Sequence, residues 1–389
     1  MPPGPAMTCG TPCLSGQTHA SETPHMKICV FGTAWFDDYY SRNSGIIEAL
    51  SQTGHDISMC TFAGLYRGLR FRKLAWLLET PLRWLILMSR FGHLRKADVL
   101  YLTYPAFIDV LPALLLRRLL GVKIYYDVFI GLYDSIVRDR QLTTRPALGK
   151  LIFSYERFIL NSVDRCFIDT THHRDMLVTD YDLNEEKVHV IANPIAEDIW
   201  SSPDISTDKS GVIFWGTYIP LHGIDTILHA AGILQDRNSP IRLRLVGNGQ
   251  ELARMQDLAN TLKLENVDFV TQFLPMAELK KFADESLCVL GIFSKGEKAD
   301  RVIPYKVAQA LCAALPVITA STTASRDLAG QTGALRLVPP DDAPALADAI
   351  QEVCTDAQNR KSLSMAGHGV YETQLSRNAI AKQVISALE

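Results

Sequence analysis

The chain alternates between two hydrophobic periods, and it goes through that alternation twice. Short apolar runs such as KICVFG (27–32), DISMCTF (56–62) and DVLYLTY (98–104) are separated by longer stretches with apolar residues every three to four positions. VKIYYDVF (122–129), RCFIDT (165–170) and VHVIANP (188–194) continue the pattern. A strand that reaches the next strand through a helix must run parallel to it, because the chain has to cross back over the sheet. A polar stretch with a proline, WSSPDISTDKS (200–210), interrupts the series. It then restarts with GVIFWGT (211–217), IRLRLVGNG (241–249), VDFVTQF (267–273), LCVLGIF (287–293) and PVITA (316–320). At 389 residues the chain is too long for one comfortable core. The expectation is therefore an α/β protein of two Rossmann-like domains, with parallel sheets facing across a cleft. The boundaries read as a Pro-, Gly-, Ser- and Thr-rich tail over 1–25, a first domain over 26–200 and a linker over 201–210. A second domain follows over 211–370, and a final helix over 371–389 packs back on the first domain.

A net charge of -3 argues against a generally basic nucleic-acid binder, so no nucleic acid is expected as partner. No apolar run approaches the roughly 18 residues that a spanning helix needs. The richest segment, LAWLLETPLRWLILM (74–88), is broken by Glu79, Pro81 and Arg83. The first 25 residues have neither a basic start nor an apolar stretch, so they do not read as a signal peptide, and Met26 reads as the natural start. Of the eight cysteines, Cys29, Cys166, Cys288 and Cys312 fall inside apolar patterns, and Cys9 and Cys13 form a C-x3-C with no second pair. A reduced, cytoplasmic protein without a metal is the expectation. Residues 65–96 carry eight Lys or Arg and one acid, interleaved with aromatic and aliphatic side chains. Such a segment suits the surface of an anionic membrane, which would make the protein peripheral on the inner face; it equally suits a helix buried on its apolar side with a solvated basic face.

Ligands of open parallel sheets bind beyond the carboxyl ends of the strands, so the loops there matter most. In KADRVIPYKVAQALCAALPVITA (298–320), Val307, Ala310, Leu311 and Ala314 recur at helical spacing, with Pro304 suited to the first turn. Arg301 and Lys306 crowd the start of this helix, where the dipole favours anions. A phosphate would resolve the conflict, and Gln309, one turn beyond Lys306, could then reach a sugar hydroxyl. Solvation, or pairing with Asp300 or Glu297, would resolve it too. VIFWGTYIPLHGIDTIL (212–228) brings Gly216, Thr217, His222 and Gly223 to another helix start, and LVGNGQE (245–251) repeats the layout with Gly247 and Gly249. His222 could bind phosphate or be ordinary surface. No G-x-G-x-x-G follows the first strand, which argues against a dinucleotide site.

Together these segments resemble the retaining nucleotide-sugar glycosyltransferases of family 4, the large group 1 class. VIFWGTYIPLHGIDTIL is similar to that family's F-x-G-R-x-x-P-x-K-G, LVGNGQE to V-G-x-G-x-E, and 298–318 to its donor helix. The resemblance implies two Rossmann-like domains (the B-type glycosyltransferase fold), a nucleoside-diphosphate sugar as donor, retention of anomeric configuration, and no cofactor or metal. It implies a glycan or lipid-linked saccharide as acceptor, in polysaccharide or glycoconjugate biosynthesis. The family's phosphate-binding Arg and Lys fall on Thr217 and His222, and its E-x7-E pair falls on Arg301 and Gln309. A subset places Lys298, Ala299, Arg301, Val302, Ile303, Pro304 and Lys306 as here, with the basic residues taking over the diphosphate. Lys306, Arg301, His222 and Asp127 are the expected catalytic groups; Asp127 ends a strand where relatives place a cleft histidine or acid. Gly216, Thr217, Gly223, Gly247, Gly249, Lys298, Pro304 and Gln309 would bind donor. Gly32, Thr33, Arg42, Asn43, Asp134 and Thr170 would face the acceptor. His172 and His173 lack metal-ligand spacing and read as surface. The rival reading is a non-catalytic sugar-nucleotide-binding or scaffold partner that kept the fold.

Overall fold

The computed structural model describes residues 25–36, 41–62, 72–201, 209–272 and 274–389. The expected tail over 1–24, Cys9 and Cys13, most of the linker, and the first part of the basic segment up to Arg70 lie outside the described residues. Six strands form the first sheet: β1 (Lys27–Thr33), β2 (Asp56–Phe62), β3 (Val99–Leu102), β4 (Lys123–Asp127), β5 (Arg165–Ile168) and β6 (Val188–Val190). Their order is β2-β1-β3-β4-β5-β6. The second sheet holds β7 (Val212–Trp215), β8 (Leu243–Val246), β9 (Val267–Val270), β10 (Cys288–Leu290), β11 (Val317–Ala320) and β12 (Arg336–Val338), in the order β12-β11-β10-β7-β8-β9. Every pairing is parallel.

Parallel sheets are covered on both faces, so their strands are apolar on both. In β1, Cys29 and Phe31 enter one core while Ile28 and Val30 enter the core on the opposite face. In β7, Val212 and Phe214 divide from Ile213 and Trp215 in the same way. The last helix, Arg377–Leu388, is capped by Ser376, whose hydroxyl accepts from the Ala379 N–H. It places Ile380, Val384 and Leu388 against Ile46 and Leu50 of the helix Arg42–Gln52, on the first sheet.

Two details differ from the sequence reading. The strand β12 was not anticipated, since RLV is too short to show a period. The helix expected to begin around Pro304 is Tyr305–Cys312, and Arg301, expected at its start, belongs to a separate short helix, Glu297–Arg301. Val302 and Pro304 between them take extended backbone, because proline disfavours helical geometry in the residue before it and lacks an N–H to continue the ladder. Among the described residues, no helix is long and apolar enough to cross a membrane, and the described cysteines are free.

Candidate active site

The loops at the carboxyl ends of the two sheets enclose a cavity of about 330 Å³. Its C-terminal wall is built from the loop after β7 and the start of the helix Tyr305–Cys312, which contribute Gly216, Thr217, His222, Pro304, Lys306 and Gln309. Lys306 sits in the first turn of that helix, 4 % exposed, and its Nζ has no hydrogen-bond partner. It lies 4.3 Å from the centre of the Phe214 ring. His222 is also buried, and its Nδ1 has no partner. Gly216 allows this approach: its φ is +149°, and a β-carbon there would stand 3.0 Å from His222 Cε1 and 3.3 Å from Lys306 Nζ. Burial pushes the Lys306 ammonium well below the usual lysine range. Burial, then the Lys306 charge, push His222 well below the usual histidine range. A buried cation without a partner costs several kcal/mol on general grounds. An anion at this helix start would supply a partner, and the helix dipole favours one there.

Gly247 and Gly249 act through packing. A β-carbon on Gly247 would lie 2.0 Å from the Gly216 carbonyl oxygen, and one on Gly249 would lie 2.5 Å from the Tyr218 carbonyl oxygen. The loop after β8 thus clamps the loop after β7. Gly223 ends the short turn Pro220–His222 and opens the helix Ile224–Asp236. Gln309 is buried, and its Oε1 accepts from Trp215 Nε1 at 2.9 Å, while Trp215 stacks on Trp200 with ring centres 5.3 Å apart. Only its amide nitrogen, 3.8 Å from Met276 Sδ, is left to offer a strong hydrogen bond to a ligand.

The cations crowding this region divide. Arg301 donates from Nη2 to Asp134 Oδ1 at 2.9 Å, and Lys298 donates to Ser135 Oγ at 2.8 Å and stands 3.5 Å from Asp139. Asp134, Ser135 and Asp139 belong to the π-helical turn Asp134–Asp139 of the first domain. Thr170 adds to this junction by donating its hydroxyl to the Arg301 carbonyl. Asp134 and Thr170, expected on the acceptor side, therefore tie the first domain to the second. Arg140, at the end of the same turn, was missed. It lines the cavity, its Nε is buried without a partner, and its charge helps depress His222. In the sequence it stands beside Asp139 in a mixed-charge run, which reads as solvated surface.

On the N-terminal wall, Arg42 and Asp127 form a buried ion pair, Nη2 to Oδ1 at 2.8 Å, with Nε 2.9 Å from both carboxylate oxygens. Asn43 donates to the Trp35 and Tyr104 carbonyls. Gly32 and Thr33 rest on Asp109, which accepts from the Thr33 N–H at 2.7 Å and also from Arg83 and Trp84. Gly32, Thr33, Arg42, Asn43 and the expected catalytic Asp127 are not among the residues lining this cavity; Asp127 is fully buried behind it against Arg42. His173, read as surface, is 2 % exposed. It lies in the first turn of the helix Thr171–Tyr181, its Nδ1 is 2.9 Å from Asp169 Oδ1, and both residues line the cavity. Period counting failed there because the residue faces the cleft, not the core. His172 pairs with Asp327 from the second domain. A larger cavity of about 610 Å³ lies beside Lys298, with charges of both signs from both domains. Among the described residues, no cluster of His, Cys, Asp or Glu is placed to hold a metal ion.

Two family descriptions match this chain: "Glycosyl transferases group 1" over residues 197–369, and "Glycosyl transferase 4-like domain" over residues 42–194. The chain belongs to the group 1 glycosyltransferases. The first match contains Gly216, His222, Lys306 and Gln309, and the second contains Arg42, Asp127, Asp134 and Thr170. Solved structures share the fold of this glycosyltransferase at low identity. Alr3699/HepE from Anabaena in complex with UDP-glucose has a TM-score of 0.67 at 15 % identity, covering 94 % of this chain and 99 % of that one. The sucrose-phosphate synthase (tll1590) from Thermosynechococcus elongatus has a TM-score of 0.67 at 18 %, covering 93 % and 98 %. The lipopolysaccharide outer core galactosyltransferase WaaB has a TM-score of 0.60 at 16 %, covering 93 % and 99 %. No curated protein sequence matches the chain.

Proposed function

We propose that this group 1 glycosyltransferase moves a sugar, with retention of configuration, from a nucleoside diphosphate to a glycan or lipid-linked saccharide. The observation that carries the reading is Lys306: a buried ammonium with no hydrogen-bond partner among the described residues, beside His222, in the first turn of a helix. The diphosphate would sit on Lys306, His222 and the Gly216 backbone, with Arg140 supplying charge from the first domain. Charge preorganised on the leaving group is commonly the largest single contribution to such a reaction. The side chains present suffice for that without a metal. Retention would have the acceptor hydroxyl attack from the face the diphosphate leaves. UDP is the first base to test, since a structure of similar fold is complexed with UDP-glucose.

The test is thermal unfolding with UDP, GDP and their common sugars, followed by assay of donor hydrolysis. A bound nucleotide at 100 times its dissociation constant should stabilise by about 2.7 kcal/mol. Stabilisation with slow hydrolysis supports the enzyme. Tight binding without any release favours the scaffold reading, which the engagement of Arg301 by Asp134 and of Gln309 by Trp215 motivates. No stabilisation by any nucleotide removes both.

The acceptor side has its own support. On the helices Arg72–Ser89, Val110–Leu120 and Pro146–Ser162, Leu85, Leu115, Leu119, Leu151 and Phe158 are at least half exposed. Exposed charges there include Arg117, Arg118, Lys150 and Arg157, whereas the only acids of these helices, Glu79 and Glu156, are buried. Such a face suits an anionic bilayer, although Arg83 is withdrawn from it to pair with Asp109. Vesicle flotation should show binding that depends on anionic lipid; equal recovery with neutral vesicles would count against it.

A further inference from the structure

His173 is a buried imidazole with one nitrogen committed and the other free. Its Nδ1 stands 2.9 Å from Asp169 Oδ1, and its Nε2 is buried with no hydrogen-bond partner. The second oxygen of Asp169 accepts from Asn193 Nδ2 at 3.2 Å, and Asn193 Oδ1 accepts from Arg42 Nη1 at 3.0 Å. Burial works to raise the Asp169 carboxyl, but the hydrogen bond from His173, with Arg42 nearby, leaves it below its ordinary value. An ionised carboxylate only accepts, so the proton of the bond lies on Nδ1, and in the neutral ring Nε2 carries a lone pair. The Arg42–Asp127 pair anchors this chain of bonds from behind. A buried acceptor that is left unmade is costly, and a ring held this firmly cannot turn away to find another partner.

His173, Asp169 and Asn193 line the same cavity of about 330 Å³ as Lys306 and Gly216, from the opposite domain. A diphosphate on Lys306 leaves the remainder of that cavity to the groups attached to it. We propose that His173 Nε2 accepts a hydrogen bond from a hydroxyl of the transferred sugar, with Asp169 as the positioning residue that fixes the ring and its tautomer. His173 thereby adds a first-domain contact to the sugar beside the charge that Arg140 offers the diphosphate. The proposal rests on the donor-site reading above.

The experiment compares affinities for UDP and UDP-glucose, with GDP and GDP-mannose as the alternative pair, in wild type, His173→Leu, His173→Gln and Asp169→Asn. His173→Leu should bind the nucleoside diphosphate as wild type does and bind the nucleotide sugar about tenfold more weakly. His173→Gln, which can present an acceptor oxygen near the Nε2 position, should recover part of that loss. Asp169→Asn should lose affinity for the sugar form alone, because an amide can donate to Nδ1 and so turn Nε2 into a donor. The unchanged nucleoside diphosphate affinity serves as the control for folding. Nucleotide-sugar affinity unaltered in His173→Leu overturns the proposal and leaves the donor site intact. Wild type that binds none of the four overturns the donor site, and this proposal with it.

Discussion

Behind the N-terminal wall of the cleft, Arg42 lies against Asp127 in a buried pair with hydrogen-bond contact. On the facing wall, Lys306 and His222 are about as deeply buried, and no carboxylate meets them. The first arrangement offsets part of its desolvation within the chain: burial still holds the Asp127 carboxyl above its ordinary range despite Arg42. The second leaves its cost uncompensated until a ligand arrives. The contrast needs no relative to be seen, and it predicts opposite responses to the same kind of substitution.

The largest effect should come from the paired wall. Arg42→Ala leaves Asp127 buried without its cation, with the Tyr101 hydroxyl 3.4 Å away as remaining partner, which should cost about 3–5 kcal/mol. For a chain with domains of this size that is a fall in Tm of roughly 2–4 °C per kcal/mol, read by thermal unfolding. A variant that melts with wild type would break the comparison, because the pair would then carry no structural weight.

Lys306→Met should do the reverse. It removes a buried charge, so the ligand-free protein should gain about 1–3 kcal/mol while UDP-induced stabilisation vanishes and turnover falls about 100-fold or more. A pH dependence follows. The folded lysine is depressed, so between that value and the ordinary lysine range the unfolded chain holds a proton the folded one lacks, and ligand-free stability rises with pH. Diphosphate restores the charge, so nucleotide affinity should fall as pH climbs above the depressed value. Titrations that are flat across about pH 6 to 9 would argue that Lys306 does not meet the phosphates.

Asp134→Asn gives the smallest and most discriminating effect on binding. It frees Arg301 and weakens the hold on Lys298, the two cations that the first domain occupies. If they compete for the diphosphate, UDP should bind about two- to fivefold tighter, at a stability cost of about 1–3 kcal/mol because Asp134 is buried and bonds Arg301. Unchanged affinity in equilibrium titration would assign both to the junction between the domains.

Much of this was legible in residue order. The twofold alternation of strand and helix, the glycines after β7 and β8, and the basic start of the donor helix are local patterns, and local patterns survive in a linear text. Lys306 could be singled out because a cation in a first helical turn conflicts with the dipole. Arg301 shared that suspicion, yet it belongs to a separate helix and meets Asp134, a residue 167 positions away. Arg140 carried no local signal, and for His173 the one signal was Asp169 four residues earlier; each looks like ordinary surface until the fold closes around it.

The order of residues by itself determined that this chain forms two parallel α/β layers and delivers helix starts to their carboxyl ends, because hydrophobic period and turn chemistry act over a few residues. Only the tertiary structure decided which buried charges found partners. That depends on which groups from distant strands are brought within about 3 Å of one another while water is excluded, and no local spacing encodes it.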